Sequence, residues 1–355
     1  MIMLRIFPFA PLSSTAMRYL RHVLWPIAII YGAIVAFRNL LFDVGILSST
    51  SFNVPIISVG NLEMGGTGKS PLVLHICKLL LDKGVNVAVL SRGYGRKSSG
   101  FLLVNETNSS TEVGDEPLQV KHRFPGAKVA VCERRREGIK RLLAMDSPPD
   151  VIVLDDAFQH RWVKPSLSIL TTPAPFPFWK NFMFPVGSLR EWILGAKRAN
   201  ALVLTGSFEE EENVPFDGAV FHCQASIQDI VHFSGKNIDI KKDDAVVLLS
   251  GIAHPERFVQ SASLHYSILG SQLHADHHEF TQEDMKRLLQ LFHSFGVLKK
   301  AILITEKDAA RLRNSLHLEF LKETPVYVAQ IGLNWKANHE QRFNQILLHH
   351  AESNT

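Results

Sequence analysis

The sequence predicts an α/β fold of the P-loop NTPase type, in which helices flank a mainly parallel sheet. A glycine-rich loop ending in Gly68-Lys69-Ser70 follows a short apolar strand, and apolar runs of strand length alternate with helical patterns along the chain. An apolar stretch near the N-terminus adds a helix associated with a membrane. The 355 residues are enough for this core and a second, smaller α/β lobe.

Changes in composition divide the chain into four segments. Residues 1–48 are expected to form the N-terminal membrane-associated helical segment, and 49–207 the P-loop core. A polar, irregular segment with an acidic run, 208–243, links them to 244–355, a C-terminal α/β lobe that completes the site.

The overall composition limits the possible partners. Hydrophobic residues make up 46% and charged residues 20%, as is typical of a folded globular protein. The net charge of +4 is a mild bias without a dense basic stripe, so we expect no nucleic-acid partner. The three cysteines are widely spaced and form no CxxC pair, which favours a reducing compartment over a disulfide framework. No obligatory protein partner is evident.

The N-terminal segment contains an apolar run from Val23 to Phe37, with Arg18 and Arg21 before it and Arg38 after it. A membrane span needs about 20 apolar residues, and this run is shorter. We favour a helix that lies in the membrane interface, where arginines attract anionic lipid. The alternatives are a single span, a cleaved signal peptide and a helix packed on the protein's own core.

The strongest local signal begins at the predicted strand Val54–Val59 and continues through a glycine-rich loop into a predicted helix from Pro71 to Lys83. Backbone amides of such a loop surround phosphate oxygens, the lysine reaches the β- and γ-phosphates and the serine hydroxyl holds Mg²⁺. One position departs from the usual pattern, because Glu63 occupies the place of the first glycine. The residues expected to bind ATP are Gly60, Asn61, Gly65, Gly66, Thr67, Gly68, Lys69 and Ser70.

The segment Asp150–Asp156 predicts a buried parallel strand that ends in two carboxylates. In a P-loop fold such a strand lies near the loop, and its acids face the magnesium site. Asp155, Asp156 and Ser70 are therefore the expected Mg²⁺ ligands, and which of the two acids binds the ion directly is left open. The alternative is an acidic strand end that faces solvent.

Two further segments carry charges that suit the transfer of a phosphoryl group to a hydroxyl. Asp115 opens a helical segment, where it either caps the helix or accepts the proton of an attacking hydroxyl, and the sequence leaves both open. Ser91–Arg96 follows a predicted strand, and its arginines suit an anionic substrate or the transferred phosphoryl group. The cluster Arg134–Arg136 is expected to lie on a solvated helix face.

The histidine group from His274 to His278 lacks cysteines and HExxH spacing. We therefore expect an acid–base or phosphate-binding device, or a polar turn, in preference to zinc.

The chain alternates strands and helices. Predicted strands later in the chain are Val129–Val131, Leu167–Leu170, Ala201–Leu204, Ala245–Leu249, Leu264–Leu269, Ala301–Ile304 and Val326–Ala329. Predicted helices are 134–144, 282–295, 306–313 and 337–350. The aromatic segment Pro173–Pro185 either caps the core, which we prefer, or contacts acyl chains.

Taken together and in order, these motifs closely resemble the tetraacyldisaccharide 4′-kinase family of lipid A biosynthesis over nearly the whole chain. The matching motifs are Gly60-Asn61-Leu62, Gly65-Gly66-Thr67-Gly68-Lys69-Ser70, Ser91-Arg92-Gly93-Tyr94, Gly114-Asp115-Glu116-Pro117, Leu154-Asp155-Asp156-Ala157-Phe158-Gln159-His160-Arg161, Pro185-Val186-Gly187-Ser188-Leu189-Arg190-Glu191, Asp276-His277-His278 and Thr305-Glu306-Lys307-Asp308-Ala309. Ala157, where glycine is common, and Trp192, where proline is frequent, are local departures.

The resemblance implies transfer of the γ-phosphate of ATP, with Mg²⁺, to the 4′-hydroxyl of tetraacyldisaccharide 1-phosphate, which gives lipid IVA. It implies two α/β lobes with the site between them, and a peripheral or monotopic protein at the cytoplasmic face of the bacterial inner membrane. The family's proposed base matches Asp115, supported by His277, and its magnesium acids match Asp155 and Asp156. Lys69 completes the expected catalytic set. The expected substrate contacts are Arg92, Glu116, Gln159, His160 and Arg190.

Three other functions share parts of this pattern. A membrane-recruited ATPase of the partitioning type usually has a lysine before the glycine pair, where this chain has Met64. A GTPase would read guanine with an Asn-Lys-x-Asp motif, which is absent although Asp308 follows a strand. Another small-molecule P-loop kinase would leave the apolar N-terminus unexplained.

Overall fold

A computed structural model describes most of the chain. For residues 15–22 and 316–318 it describes the backbone but not the side chains. The described residues are 15–207, 213–234, 240–241, 244–313, 316–321 and 323–352. The predicted acidic run at 209–212 lies outside them.

Within these residues the chain forms twelve strands and nine α-helices in alternation. The strands are β1 Ile56–Gly60, β2 Val87–Ser91, β3 Leu102–Leu103, β4 Lys128–Val131, β5 Val151–Asp155, β6 Leu167–Pro173, β7 Ala201–Thr205, β8 Ala219–His232, β9 Ala245–Ser250, β10 Ser267–Leu273, β11 Lys300–Thr305 and β12 Val326–Trp335. The helices are α1 Thr15–Asp43, α2 Lys69–Asp82, α3 Ser110–Val113, α4 Asp115–Arg123, α5 Arg135–Leu143, α6 Pro255–Ser263, α7 Gln282–Ser294, α8 Glu306–Arg313 and α9 His339–Glu352. Short 3-10 turns lie at Phe178–Lys180, Ile193–Arg198 and Leu316–Leu321.

All described strands belong to one sheet, in the order β10-β9-β11-β12-β8-β7-β6-β1-β5-β2-β4-β3. Its neighbouring strands are parallel except β3 with β4 and β8 with β12. The mainly parallel α/β fold predicted from the sequence is confirmed. β1, β2, β5 and β7 are buried along their whole length, because helices cover both faces of a parallel sheet, and this explains their continuous apolar sequences.

The junction between the two halves differs from the prediction of an irregular segment. Residues Ala219–His232 form the long strand β8, which pairs in parallel with β7 at its start and antiparallel with β12 over the rest. The sequence of β8 mixes polar and apolar residues because many of its positions are exposed or half-buried. A second boundary also differs, since Leu264 ends α6 and the strand that follows begins at Ser267.

Helix α1 is longer than the apolar run that predicted it. One face packs on the core through Ala28 and Phe42, which are 1% and 8% exposed. The opposite face presents large apolar side chains, among them Ile30 at 61% and Ile34 at 63% exposure. The part from Val23 to Asp43, 21 residues with a mean hydropathy of 1.7, is long and apolar enough to cross a membrane by length and composition.

Candidate active site

The glycine-rich loop connects β1, in the middle of the sheet, to α2. Gly68 has a φ of 85°, and a Cβ there would lie 2.6 Å from Cγ2 of Thr205, so both backbone and packing require glycine. Because α2 begins at Lys69, its free N–H groups and the positive end of its dipole face the loop, as a phosphate site needs. Inside the loop, the Thr67 hydroxyl accepts a hydrogen bond from Asn61 at 2.9 Å and pairs with Thr171 at 2.8 Å.

Glu63, the departure from the usual loop pattern, is directed away from the phosphate cradle. Its carboxylate is 3% exposed and accepts hydrogen bonds of 2.9 Å each from Thr172 Oγ1 and Asn181 Nδ2. Burial raises its pKa in spite of these hydrogen bonds. Glu63 therefore ties the loop to the aromatic segment Pro173–Pro185, in which Phe178 is buried and Phe176 is exposed.

Two acids at the end of β5 face the loop. The Asp156 carboxylate lies 3.7 Å from Lys69 Nζ and accepts two hydrogen bonds from Arg190 Nη1, at 2.9 and 3.0 Å. Asp155 is 4% exposed, and its Oδ1 has no hydrogen-bond partner in the described part of the chain. Burial, with the charges of Glu116 and Asp156, raises the pKa of Asp155 to about 7.

A divalent cation would supply the missing partner of Asp155 Oδ1. A buried carboxylate oxygen without a donor carries an unfavourable desolvation free energy, which a coordinated cation removes. The Ser70 hydroxyl, at the N-terminus of α2, is the oxygen ligand that P-loop proteins place next to such an acid. The residues present therefore fit Mg²⁺.

Asp115 is the first residue of α4 and lies across from the second half of the chain. Its Oδ2 receives three hydrogen bonds, from His277 Nδ1 at 2.8 Å and from Arg311 Nε and Nη2 at 2.8 and 2.6 Å. Burial alone would raise the pKa of Asp115, but the hydrogen bonds from His277 and Arg311 and the guanidinium charge outweigh it and lower the pKa. All three bonds end on Oδ2, which leaves Oδ1 to accept a proton.

His277 is held in an unusual conformation beside this carboxylate. Its φ of 58° lies in the left-handed region, and its ring centre is 5.7 Å from that of Tyr94. The hydrogen bond to Asp115 raises the pKa of His277 above its ordinary value. The loop that carries His277 is fixed by its neighbour His278, whose Nε2 is 2.9 Å from Asp284 Oδ2 in the capping box of α7.

His274, His278 and Asp284 form a cluster that could be mistaken for a metal centre. The two imidazole rings are stacked with their centroids 4.0 Å apart and their planes at 11°. Lone pairs in parallel planes do not converge on one ion, and Asp284 Oδ2 already accepts bonds from Thr281 N and Oγ1. The geometry supports a structural role in the loop before α7.

Glu116 faces the glycine-rich loop. Its Oε1 accepts a hydrogen bond of 2.8 Å from Ser70 Oγ and another of 2.8 Å from Lys307 Nζ. The Lys307 charge is the main reason that the pKa of Glu116 is lowered to about 2, against the effect of burial. This position groups Glu116 with the phosphate and metal side of the site.

Gln159 belongs to the framework beneath the loop. Its amide donates to the Asn61 carbonyl at 2.8 Å and to Glu191 Oε1 at 3.0 Å. Glu191 is fully buried and also accepts hydrogen bonds from Asn39 of α1 at 2.9 Å and from Arg198 at 2.8 Å. Gln159 thus links the loop to the N-terminal helix.

His160 lies close enough to Arg92 to be influenced by its charge. Burial, together with the charges of Arg135, Arg92 and Arg38, lowers the pKa of His160 to about 4. Its Nε2 has no hydrogen-bond partner among the described residues, and Arg92 is exposed. The expectation that Arg134–Arg136 form a solvated face is wrong for Arg135, which is 2% exposed and donates to the backbone oxygens of Cys132 and Asp155.

The structure brings most of the predicted site residues together. Lys69, Ser70, Asp155 and Asp156 adjoin one another, and Asp115 adjoins them through Glu116. Residues that the prediction did not assign a role are Lys307, Arg311, Arg135 and Glu191. Lys307 lies in one of the quoted motifs, but nothing local in the sequence indicates that it faces the loop.

Fold and site together define the class of this protein, a kinase built on a P-loop core. The comparisons give the family. The model for the tetraacyldisaccharide-1-P 4′-kinase family matches residues 20–352, and the chain belongs to this family. The resemblance inferred from the motifs is confirmed.

Individual relatives agree with this assignment. The chain is 38% identical to a tetraacyldisaccharide 4′-kinase of Flavobacterium psychrophilum over 96% of this chain and 99% of that protein. It is 37% identical to the enzyme of the same name from Parabacteroides distasonis, over 93% and 95% of the two chains. Among solved structures, LpxK from Aquifex aeolicus in complex with ATP superimposes with a TM-score of 0.74 and 30% identity, over 94% of this chain and 99% of that one.

Proposed function

We propose that this protein is an ATP-dependent kinase that transfers the γ-phosphate of ATP to the 4′-hydroxyl of tetraacyldisaccharide 1-phosphate, forming lipid IVA in lipid A biosynthesis. The observation that carries the proposal is the contact chain from Ser70 of the phosphate loop to Glu116, whose neighbour Asp115 is paired with His277. This contact chain supports a nucleotide site beside Asp115, whose three hydrogen bonds all end on Oδ2. The family and the names of the relatives support the choice of substrate.

The proposed mechanism gives separate tasks to the phosphate loop and to Asp115. Lys69 and the loop amides hold the nucleotide phosphates, and Asp115 Oδ1 accepts the proton of the 4′-hydroxyl. A bond forms between the 4′-oxygen and the γ-phosphorus, while the bond from that phosphorus to the β,γ-bridging oxygen breaks and leaves its electron pair on ADP. Positioning and charge neutralisation supply most of the acceleration, because a loose phosphoryl transition state needs little help from a base.

The two acids of β5 differ in what they can bind. Asp155, with its buried, unpartnered oxygen, would hold Mg²⁺ together with Ser70, whereas Asp156 is engaged by Lys69 and Arg190. When bound, Mg²⁺ neutralises charge on the phosphate oxygens.

The substrate contacts divide into a rim and a framework. The rim contacts are Arg92 and Arg190, whose positive charges suit an anionic lipid headgroup, and His160, which is uncharged at neutral pH. Glu116 and Gln159 act indirectly, through Ser70 and through the Asn61 carbonyl.

The exposed apolar face of α1 supports an association of the protein with a membrane. We assign it to the cytoplasmic face of the bacterial inner membrane, as a peripheral or monotopic protein, because ATP is available there. Ile30, Ile34 and Phe37 are exposed on α1. Such a helix lies in the interface with its apolar side toward the acyl chains.

Transfer of radioactive label tests the proposed function. The purified protein is incubated with γ-labelled ATP, Mg²⁺ and tetraacyldisaccharide 1-phosphate, and the organic phase is counted. We expect label in the lipid at a rate that depends on both substrates, and a rate lower by on the order of 1,000-fold with Lys69→Ala. Protein that binds ATP yet leaves the lipid unlabelled in the presence of detergent would contradict the proposal.

A further inference from the structure

Lys307 comes from the second half of the chain and reaches the phosphate loop in the first half. It is the second residue of α8, and its Nζ shares one oxygen of Glu116 with the Ser70 hydroxyl, both at 2.8 Å. The ammonium group therefore lies within two hydrogen-bond lengths of the hydroxyl at the start of α2. In P-loop proteins this hydroxyl adjoins the β- and γ-phosphates.

The same ammonium group also faces the acceptor side of the site. Its charge acts on His277, and the carboxylates of Asp115 and Asp276 act on it in turn. Lys307 thus lies near both the glycine-rich loop, through Glu116, and the Asp115–His277 pair.

Two other cations near the site, Arg190 and Arg311, have fixed partners. Arg190 is held by Asp156, and Arg311 divides its donors among Asp115, Asp308 and the Gly251 carbonyl. Lys307 has one recorded hydrogen bond, to Glu116, whereas an ammonium group has three donors. Two donors remain for phosphoryl oxygens, and the side chain is 22% exposed, which leaves a ligand access to it.

We propose that Lys307 is a catalytic residue that contacts the γ-phosphoryl oxygens during transfer, with Glu116 holding its ammonium group over the loop. Lys307 forms and breaks no covalent bond. It neutralises the negative charge that is spread over the three oxygens of the transferred group, as a cationic side chain outside the loop does in other P-loop enzymes. This inference rests on the proposed kinase function.

The first test compares Lys307→Met with the wild-type protein in the label-transfer assay. We expect kcat to fall roughly 100- to 1,000-fold, as when one preorganised donor to a transition state is removed, with the Kd for ADP almost unchanged. Lys307→Arg should keep much of the activity because it keeps the charge. Lys78→Met is the matched control, since Lys78 is a surface lysine paired with Asp82.

A double variant separates this role from simple charge balance with Glu116. If Lys307 only neutralises Glu116, then Glu116→Gln with Lys307→Met should recover the rate of Glu116→Gln alone. If Lys307 acts on the phosphoryl group, the double variant stays as slow as Lys307→Met. Recovery of the rate would overturn the proposal.

Binding of a transition-state analogue gives a readout that does not depend on turnover. The wild-type protein should bind ADP more tightly when aluminium fluoride is present, and Lys307→Met should lose this gain while it still binds ADP. An unchanged gain in the variant contradicts the role of Lys307. Absence of label transfer by the wild-type protein would instead contradict the kinase function itself, so the two failures are distinguishable.

Discussion

At the scale of single residues, Asp155 and Asp115 are carboxylates whose surroundings shift their pKa values in opposite directions. Burial and nearby acids raise the pKa of Asp155 to about 7, whereas His277 and Arg311 outweigh burial and lower the pKa of Asp115. Asp115 is therefore anionic at neutral pH and ready to accept a hydrogen bond from a hydroxyl. Asp155 is only partly anionic near neutral pH, and a bound cation would stabilise its anionic form.

Magnesium binding should consequently depend on pH. Below pH 7 Asp155 is mainly protonated, and Mg²⁺ has to displace that proton, so the apparent Mg²⁺ affinity should fall about tenfold per pH unit as the pH decreases. Titration of Mg²⁺ into the ADP complex between pH 5.5 and 8 measures this. Asp155→Asn is the control and should bind weakly at every pH. An affinity that is constant across this range in the wild-type protein would exclude Asp155 as the ligand.

Lys69 and His277 should differ in their importance for turnover. In the proposed mechanism Lys69 contacts the phosphates directly, whereas His277 acts on the base Asp115 through one hydrogen bond, and a loose transition state needs little base strength. We therefore expect Lys69→Ala to lower kcat more than His277→Ala does, with losses on the order of 1,000-fold and 100-fold. Steady-state kinetics with both substrates saturating decides the order, and the reverse order contradicts these roles.

Arg311 should set the acidic limb of the pH–rate profile. Its guanidinium lowers the pKa of Asp115, so Arg311→Met should raise that pKa and move the acidic limb of kcat/KM upward by about 1–3 pH units. Arg311→Lys keeps the charge and should move the limb less. If Arg311 only fastens α8 to α4, Arg311→Met lowers the activity without moving the limb.

At the scale of elements, the strands and helices near the loop follow their local sequence closely. β1, α2 and β5 were predictable because a buried strand, a glycine-rich turn and a helix start each leave a local signal, and Asp155 follows from the end of its strand. β8 was missed because a partly exposed strand mixes polar with apolar residues and has no clear period.

Helix α1 has an apolar side with no counterpart in the described part of the protein. Substitution of Ile30, Ile34 and Phe37 by serine removes three exposed apolar side chains, so binding to vesicles of anionic lipid should weaken by at least tenfold. Co-sedimentation with the vesicles measures this. Substitution of the exposed Leu298, which lies far from α1 in the sequence, is the control. Equal sedimentation of the triple variant and the wild-type protein would contradict the membrane role of α1.

At the scale of the whole molecule, the site is assembled from both halves of one continuous sheet. Glu116 accepts a hydrogen bond from Lys307, which is 191 residues away in the sequence, and Asp115 accepts one from Arg311, which is 196 residues away. Lys307 and Arg311 are one helical turn apart on α8 and contact the adjacent acids at the start of α4. A single helix of the second half thus engages both the phosphate side and the acceptor side.

This assembly explains which parts of the site the sequence alone could predict. Lys69, Ser70 and Asp155 belong to motifs whose spacing carries their chemistry. The position of Lys307 depends on how β8 and β12 join the two halves, and no local pattern encodes that pairing. The resemblance to a kinase family supplied Asp115 and His277 as a pair before the fold showed their contact.

The central claim is that the phosphate held by Lys69 and Ser70 passes to a sugar hydroxyl beside Asp115. A crystal structure with a non-hydrolysable ATP analogue, Mg²⁺ and tetraacyldisaccharide 1-phosphate tests it most directly. We predict that the 4′-oxygen lies about 2.6–3.2 Å from Asp115 Oδ1 and in line with the γ-phosphorus. A 4′-oxygen bound away from Asp115, with another group in contact with it, would contradict the account.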